Sequence, residues 1–125
     1  MERIIDLDEA AAALARLSEG RRGVGLDVGP LTWRDYEASW PQALETDRTA
    51  VRDPDSVGIH VHGPDDAELM IVLFRGGWAD VDFLDRSGDF GPLPAFDIVS
   101  VEDFVRRATQ WFDRAFVVPI EGGRS

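Results

Sequence analysis

The chain has no cysteine and no lysine, only two histidines, and no apolar run near the roughly 20 residues a membrane-spanning helix needs. Without cysteine there is no disulfide framework, no thiol nucleophile and no cysteine zinc site. Without lysine, all 13 cationic side chains are arginine. This is read as the codon bias of a GC-rich genome rather than as selection for bidentate donors. Positive charge is scarce: 24 acidic side chains leave a net charge of −11. That balance excludes a general nucleic-acid binder, which needs a cationic footprint. The opening Met1-Glu2-Arg3-Ile4-Ile5-Asp6 has no apolar core of a secretory signal. A cytoplasmic protein is therefore expected, with no membrane partner. No Gly-x-Ser-x-Gly elbow and no His-Glu-x-x-His pair is present, so no enzyme activity and no cofactor are expected.

What is present suits a folded protein. With 125 residues, 44% of them hydrophobic, the chain is expected to form one domain, residues 1–125, stable without metal or disulfide. Asp6 to Glu19 carries Leu7, Ala10, Ala11, Leu14 and Leu17 on one helical stripe, with Asp6 and Glu9 at capping-box spacing and Gly20 as the stop. Residues 23–28 suggest a short strand ended by Gly29-Pro30; Gly23-x-Gly25 is too little for a phosphate loop. In Thr32 to Trp40 the spacing of Trp33, Tyr36 and Trp40, with Thr32 and Asp35 as a cap, points to a helix without excluding other structure. Glu45 to Asp55 reads as loop.

Strand patterning follows. Val57, Ile59 and Val61 alternate with Gly58, His60 and His62, and Gly63-Pro64-Asp65-Asp66 is a turn. Glu68 to Phe74 is apolar at every position after Glu68, which predicts a central strand covered on both faces. Gly76-Gly77 is a hairpin turn, and Trp78 to Leu84 alternates again. Gly91 to Pro94 is an extended crossing. Ser100 and Asp103 open a helix whose stripe is Val101, Phe104, Val105, Ala108, Trp111, Phe112 and Ala115, with Val99 and Phe104 at hydrophobic-staple spacing. Phe116 to Ile120 suggests a last strand. The predicted fold class is α+β: a small antiparallel sheet with helices packed on one face and a long amphipathic C-terminal helix.

Two residue groups carry candidate chemistry. His60 and His62, at i and i+2 on a strand, project to one face as metal-binding pairs do, with carboxylates Asp53, Asp55, Asp65 and Asp66 near in sequence. A surface strand with two half-exposed histidines explains the same pattern without a ligand. Trp78, Asp80 and Asp82 share a strand face, followed by Asp85 and Asp89. An aromatic flanked by acids suits a binding hot spot for a basic partner; under a covering helix, Trp78 would be core instead. Trp33, Trp40 and Trp111 are expected in the core. Charge is unevenly placed: residues 53–103 hold 12 acids and two arginines. Such a concentration suits steering toward a cationic partner, though a solvated face would look the same.

The run Ala67 to Phe74, then Gly76 to Leu84 and an Asp/Gly turn, resembles the central hairpin of small immunity proteins of bacterial polymorphic toxin systems, over residues 57–115. The resemblance implies a compact, acidic, cytoplasmic α+β protein that binds and blocks a cognate, often basic, toxin domain. Its contacts would come from Trp78, Asp80, Asp82, Asp85 and Asp89. Asp65, Asp66 and Glu68 border that surface and join the candidate partner-binding set. A monomer or weak dimer is expected. A small-molecule or metal-binding domain, or an acidic nucleic-acid mimic, is the alternative.

Overall fold

A computed structural model of the chain describes residues 4–21, 25–39, 41–93 and 95–117. The fold is α+β. Helix α1 (Leu7–Glu19) is followed by strands β1 (Asp27–Val28), β2 (Thr32–Asp35), β3 (Pro54–His62), β4 (Glu68–Phe74), β5 (Trp78–Leu84) and β6 (Phe90–Pro92), and helix α2 (Val101–Phe116) closes the described chain. Every strand pairing is antiparallel, in the order β1-β3-β4-β5-β6. Strand β2 shares with β1 the free edge of β3: Thr32 stands opposite Gly58, and Asp27 opposite His62.

The alternation along each strand determines which face is core. Val57, Ile59 and Val61, then Leu69, Ile71 and Leu73, then Ala79, Val81 and Phe83 are buried on one face. Helix α1 packs there against β3, and α2 against β4 and β5. Phe104 and Phe112 of α2 are fully buried, a burial that contributes about 2–3 kcal/mol for each ring. The cap of α1 is the bond from Glu9 N–H to Asp6 Oδ1, 3.1 Å. The cap of α2 is the bond from Asp103 N–H to Ser100 Oγ, 3.0 Å. In α2 the return bond of the capping box is shifted by one residue: the Asp103 carboxylate accepts from Val99 N–H.

Several sequence expectations are corrected. Thr32–Asp35 is a strand, not a helix. Asp35 does not cap a helix there; its carboxylate accepts N–H groups from Glu37, Arg52 and Asp53 and ties the strand end to the entrance of β3. Trp33 is buried as expected, and Trp111 with it; Trp40 lies outside the described residues. The predicted strand over 23–28 is reduced to Asp27–Val28, with residues 23 and 24 outside the described set. Strand β4 is central, but its outer face is covered only in part: Val72 and Phe74 are half-buried and Met70 is 42% exposed. Val99 is exposed and does not staple onto buried Phe104. Gly20 ends α1 in a right-handed conformation rather than a left-handed one. Phe116 belongs to α2, and residues 118–120 of the predicted last strand lie outside the described residues.

One glycine is required by geometry. Gly77 of the β4–β5 turn has φ +93°, and a Cβ there would stand 2.7 Å from the Ile98 carbonyl oxygen. That closeness comes from the bond Ile98 N–H donates to the Gly77 carbonyl, 2.8 Å, which seats the 96–99 loop beside Trp78.

Candidate binding face

Both α-helices pack on one side of the sheet, so among the described residues no α-helix lies on the other side of β3, β4 and β5. Near β2 this face is closed: Ser56 is buried, and the Thr32 hydroxyl and a Val72 methyl crowd over Gly58. Toward β6 it opens. The register places His60, Met70 and Asp82 in one cross-strand row, and His62, Glu68, Leu84 and Phe90 in the next. Asp80 stands opposite Val72, and Trp78 opposite Phe74.

Trp78 is half-buried, but by neither of the expected routes. Its ring stacks on Phe74, centroids 3.9 Å apart and planes within 8° of parallel. The pair forms a rigid apolar platform at one end of the face, and Phe96, 65% exposed, adds to it. At the other end a shallow cleft is lined by Met70, Leu84 and Phe90, with Glu68 and Asp82 at its margin. Phe90 is 75% exposed. Asp80 and Asp82 lie between these apolar groups, exposed, with no ion-pair or hydrogen-bond partner among the described residues.

The remaining acids of the predicted set divide differently. Asp65 pairs with Arg86 at 2.7 Å. Asp85 accepts from the Ser87 hydroxyl at 2.6 Å and from Arg114 at 2.6 Å, and Asp89 is also paired with Arg114. The hydroxyl of Ser87 first, and the Arg114 guanidinium next, hold the Asp85 carboxyl well below the usual carboxylate range. Asp65 and Asp66 both take left-handed backbone conformations in the β3–β4 turn, and Asp66 is exposed. Glu68 is engaged by histidine: Oε1 lies 2.6 Å from His60 Nε2 and 3.5 Å from His62 Nε2. Of the predicted set, then, Trp78, Asp80, Asp82 and Glu68 share the open face, whereas Asp85 and Asp89 fasten the β5–β6 turn to α2.

The carboxylates named beside the histidines in sequence do not gather there. Asp53 pairs with Arg75, and Asp65 with Arg86. The acid that joins His60 and His62 is Glu68, because the five-residue turn after His62 returns the chain directly opposite it. Met70, Phe74, Leu84, Phe90 and Phe96 complete the face and were not singled out by pattern; the one signal for the first four is that large apolar residues occupy outward positions of strands, and Phe96 comes from the loop before α2.

Arginines from outside the acidic segment also change its field. Arg106 and Arg107 pair with Asp103, and Arg114 with Asp85 and Asp89. Counted in space rather than along the chain, much of that segment's charge is answered, which leaves Asp80 and Asp82 prominent on the sheet. A second cleft, between the β5–β6 turn and the end of α2, is lined by Asp65, Asp85, Arg86, Asp113 and Arg114. All five are held in ion pairs.

No protein-family model, no curated protein and no solved structure matches this chain. Among the described residues no helix is long and apolar enough to cross a membrane.

Proposed function

We propose that this chain is a protein-binding module that docks a cationic partner on its open sheet face, and that it acts as an immunity protein neutralising a cognate bacterial toxin domain. The observation that carries the reading is the pair of exposed, unpartnered carboxylates, Asp80 and Asp82, set between apolar surfaces at Phe74–Trp78 and Met70–Leu84–Phe90. The two kinds of group divide the work: the flanking rings supply affinity, and the carboxylates between them supply register and encounter rate. The face is preorganised, because all its side chains but Phe96 project from paired strands, so little ordering opposes association. On this reading the protein works in the cytoplasm, needs no cofactor and is not an enzyme; it occludes the toxin's active site.

The test is capture from the native host lysate with tagged chain at low and at high salt, followed by inhibition of the captured protein's activity by purified chain. One stoichiometric basic partner is expected, released by salt and inhibited on rebinding. Association should slow as salt rises, since steering is screened. Trp78→Ala should weaken binding by about 2 kcal/mol, roughly thirtyfold, because it removes half of the stacked platform. A partner whose affinity is indifferent to salt and to Trp78→Ala docks elsewhere, and a chain that inhibits nothing it captures is no immunity protein.

A further inference from the structure

We propose that His60, His62 and Glu68 form a binding site for one Zn²⁺-like transition-metal ion on the open face. The inference does not depend on the toxin reading. Strand geometry brings the three together. His60 and His62 lie two residues apart on β3 and share its outer face; Glu68 stands directly across from His62 on β4 and diagonally from His60, within reach of long side chains. One potential ligand atom from each of the three falls within 4.8 Å of the other two. The imidazole rings are 4.3 Å apart and tilted by 39°, and both present Nε2 toward the same carboxylate oxygen.

The dimensions suit a metal. With ligand bonds of about 2.0–2.1 Å, two donors in a tetrahedral shell stand roughly 3.3–3.4 Å apart. The His62–Glu68 separation of 3.5 Å already matches one such edge. The 2.6 Å between His60 and Glu68 is a direct hydrogen bond, and opening it by under an ångström is a rotamer adjustment of a half-exposed glutamate. Two imidazoles and one carboxylate favour zinc and its neighbours in the transition series over Mg²⁺ or Ca²⁺, which prefer oxygen ligands alone. Three protein ligands leave a fourth position open. The His62 side chain is 53% exposed, so a water or a partner's side chain can reach the site to fill it.

The test is calorimetric titration of the tag-free full chain with Zn²⁺ alone, repeated on His60→Ala, His62→Ala and Glu68→Gln, with Asp80→Asn/Asp82→Asn as the contrasting variant. One ion per chain is expected. Each of the three ligand variants should lose about tenfold or more in affinity, as a tetrahedral site requires all its donors. The Asp80/Asp82 variant should stay close to wild type. Circular dichroism checks that every variant is folded, and X-ray absorption at the zinc edge should report two imidazoles with oxygen ligands. No saturable binding, equal binding by all three ligand variants, or loss confined to the Asp80/Asp82 variant would each overturn the site. The titration is made on the chain alone, so its outcome is read separately from capture of a cationic partner.

Discussion

Arg75→Met is expected to destabilise the fold by about 3 kcal/mol, a loss readable as a lower denaturation midpoint in urea at unchanged slope. Arg75 is the first residue of the turn after β4 and is 5% exposed, the most deeply buried cation among the described residues. Its guanidinium donates to Asp53 at 2.9 Å and lies over the Tyr36 ring, 4.2 Å from the centroid. Its backbone carbonyl accepts N–H groups from both Ile4 and Ile5, and its own N–H donates to the Asp55 carbonyl. One residue thus joins the approach to α1, the loop after β2 and the start of β3. Methionine keeps the apolar stem but leaves Asp53 without this charge partner in a poorly solvated place. The lower end of the usual range for breaking buried pairs applies, because Asp53 keeps 19% of its side chain in water. Converting the pair together, Asp53→Asn with Arg75→Met, should restore a good part of the loss, since the larger cost lies in taking this guanidinium from a poorly solvated carboxylate. A double variant no more stable than Arg75→Met alone would place the cost in lost packing instead.

The residues that stabilise the fold in this way show where sequence is informative and where it is not. The alternation of Val57 to Val61 and of Ala79 to Phe83 and the stripe of α2 each follow a local period, and the fold reproduces them because each period has one apolar face to bury. Trp33 and Tyr36 mislead for the same reason. Their three-residue spacing imitates a helix, yet Trp33 faces the core from a strand paired with β3, and Tyr36 lies outside the strand under the Arg75 guanidinium. Val72 and Phe74 of β4 gave the impression of a doubly covered strand. They are apolar and outward because Val72, like the Thr32 hydroxyl, closes over Gly58 and Trp78 stacks on Phe74; no second helix layer is present among the described residues.

Long-range pairing was least legible. Arg48 reaches Asp8 across 40 positions, and Arg114 reaches Asp85 across 29. No local pattern links such partners, so the acidic segment read as more naked than it is. The same limit hid the third member of the histidine cluster. Glu68 was visible as an acid on the surface, but its place beside His60 and His62 follows from hairpin register, which the symmetric position of residues 62 and 68 around the turn encodes. For the candidate face, sequence located Trp78, Asp80 and Asp82; of the apolar groups around them, Phe90 and Phe96 emerged only when β6 and the 96–99 loop took their places.

Reversing both carboxylates, Asp80→Arg with Asp82→Arg, is expected to weaken partner binding by about 4 kcal/mol, roughly a thousandfold, while leaving the fold intact. The two effects separate because of how these side chains stand. Neither carboxylate has an ion-pair or hydrogen-bond partner among the described residues, and both are exposed in the middle of a paired strand, so the free protein loses no ion pair or side-chain hydrogen bond when they change. A cationic partner, by contrast, would meet two like charges at the centre of its footprint, where approach excludes water and screening is weakest. Part of the loss should appear as slower association, and the rest as faster dissociation. Neutralising Asp85 and Asp89 to asparagine should have the opposite profile. Those carboxylates hold Arg114, so the change should lower thermal stability and affect binding far less. If the Asp85/Asp89 variant instead abolished binding and the Asp80/Asp82 reversal were silent, the partner would dock on the β5–β6 turn and α2 rather than on the open sheet. Compensating acidic substitutions in the partner should recover the lost affinity only when they face the new arginines, which makes the reversal a map of the interface as well as a test of it.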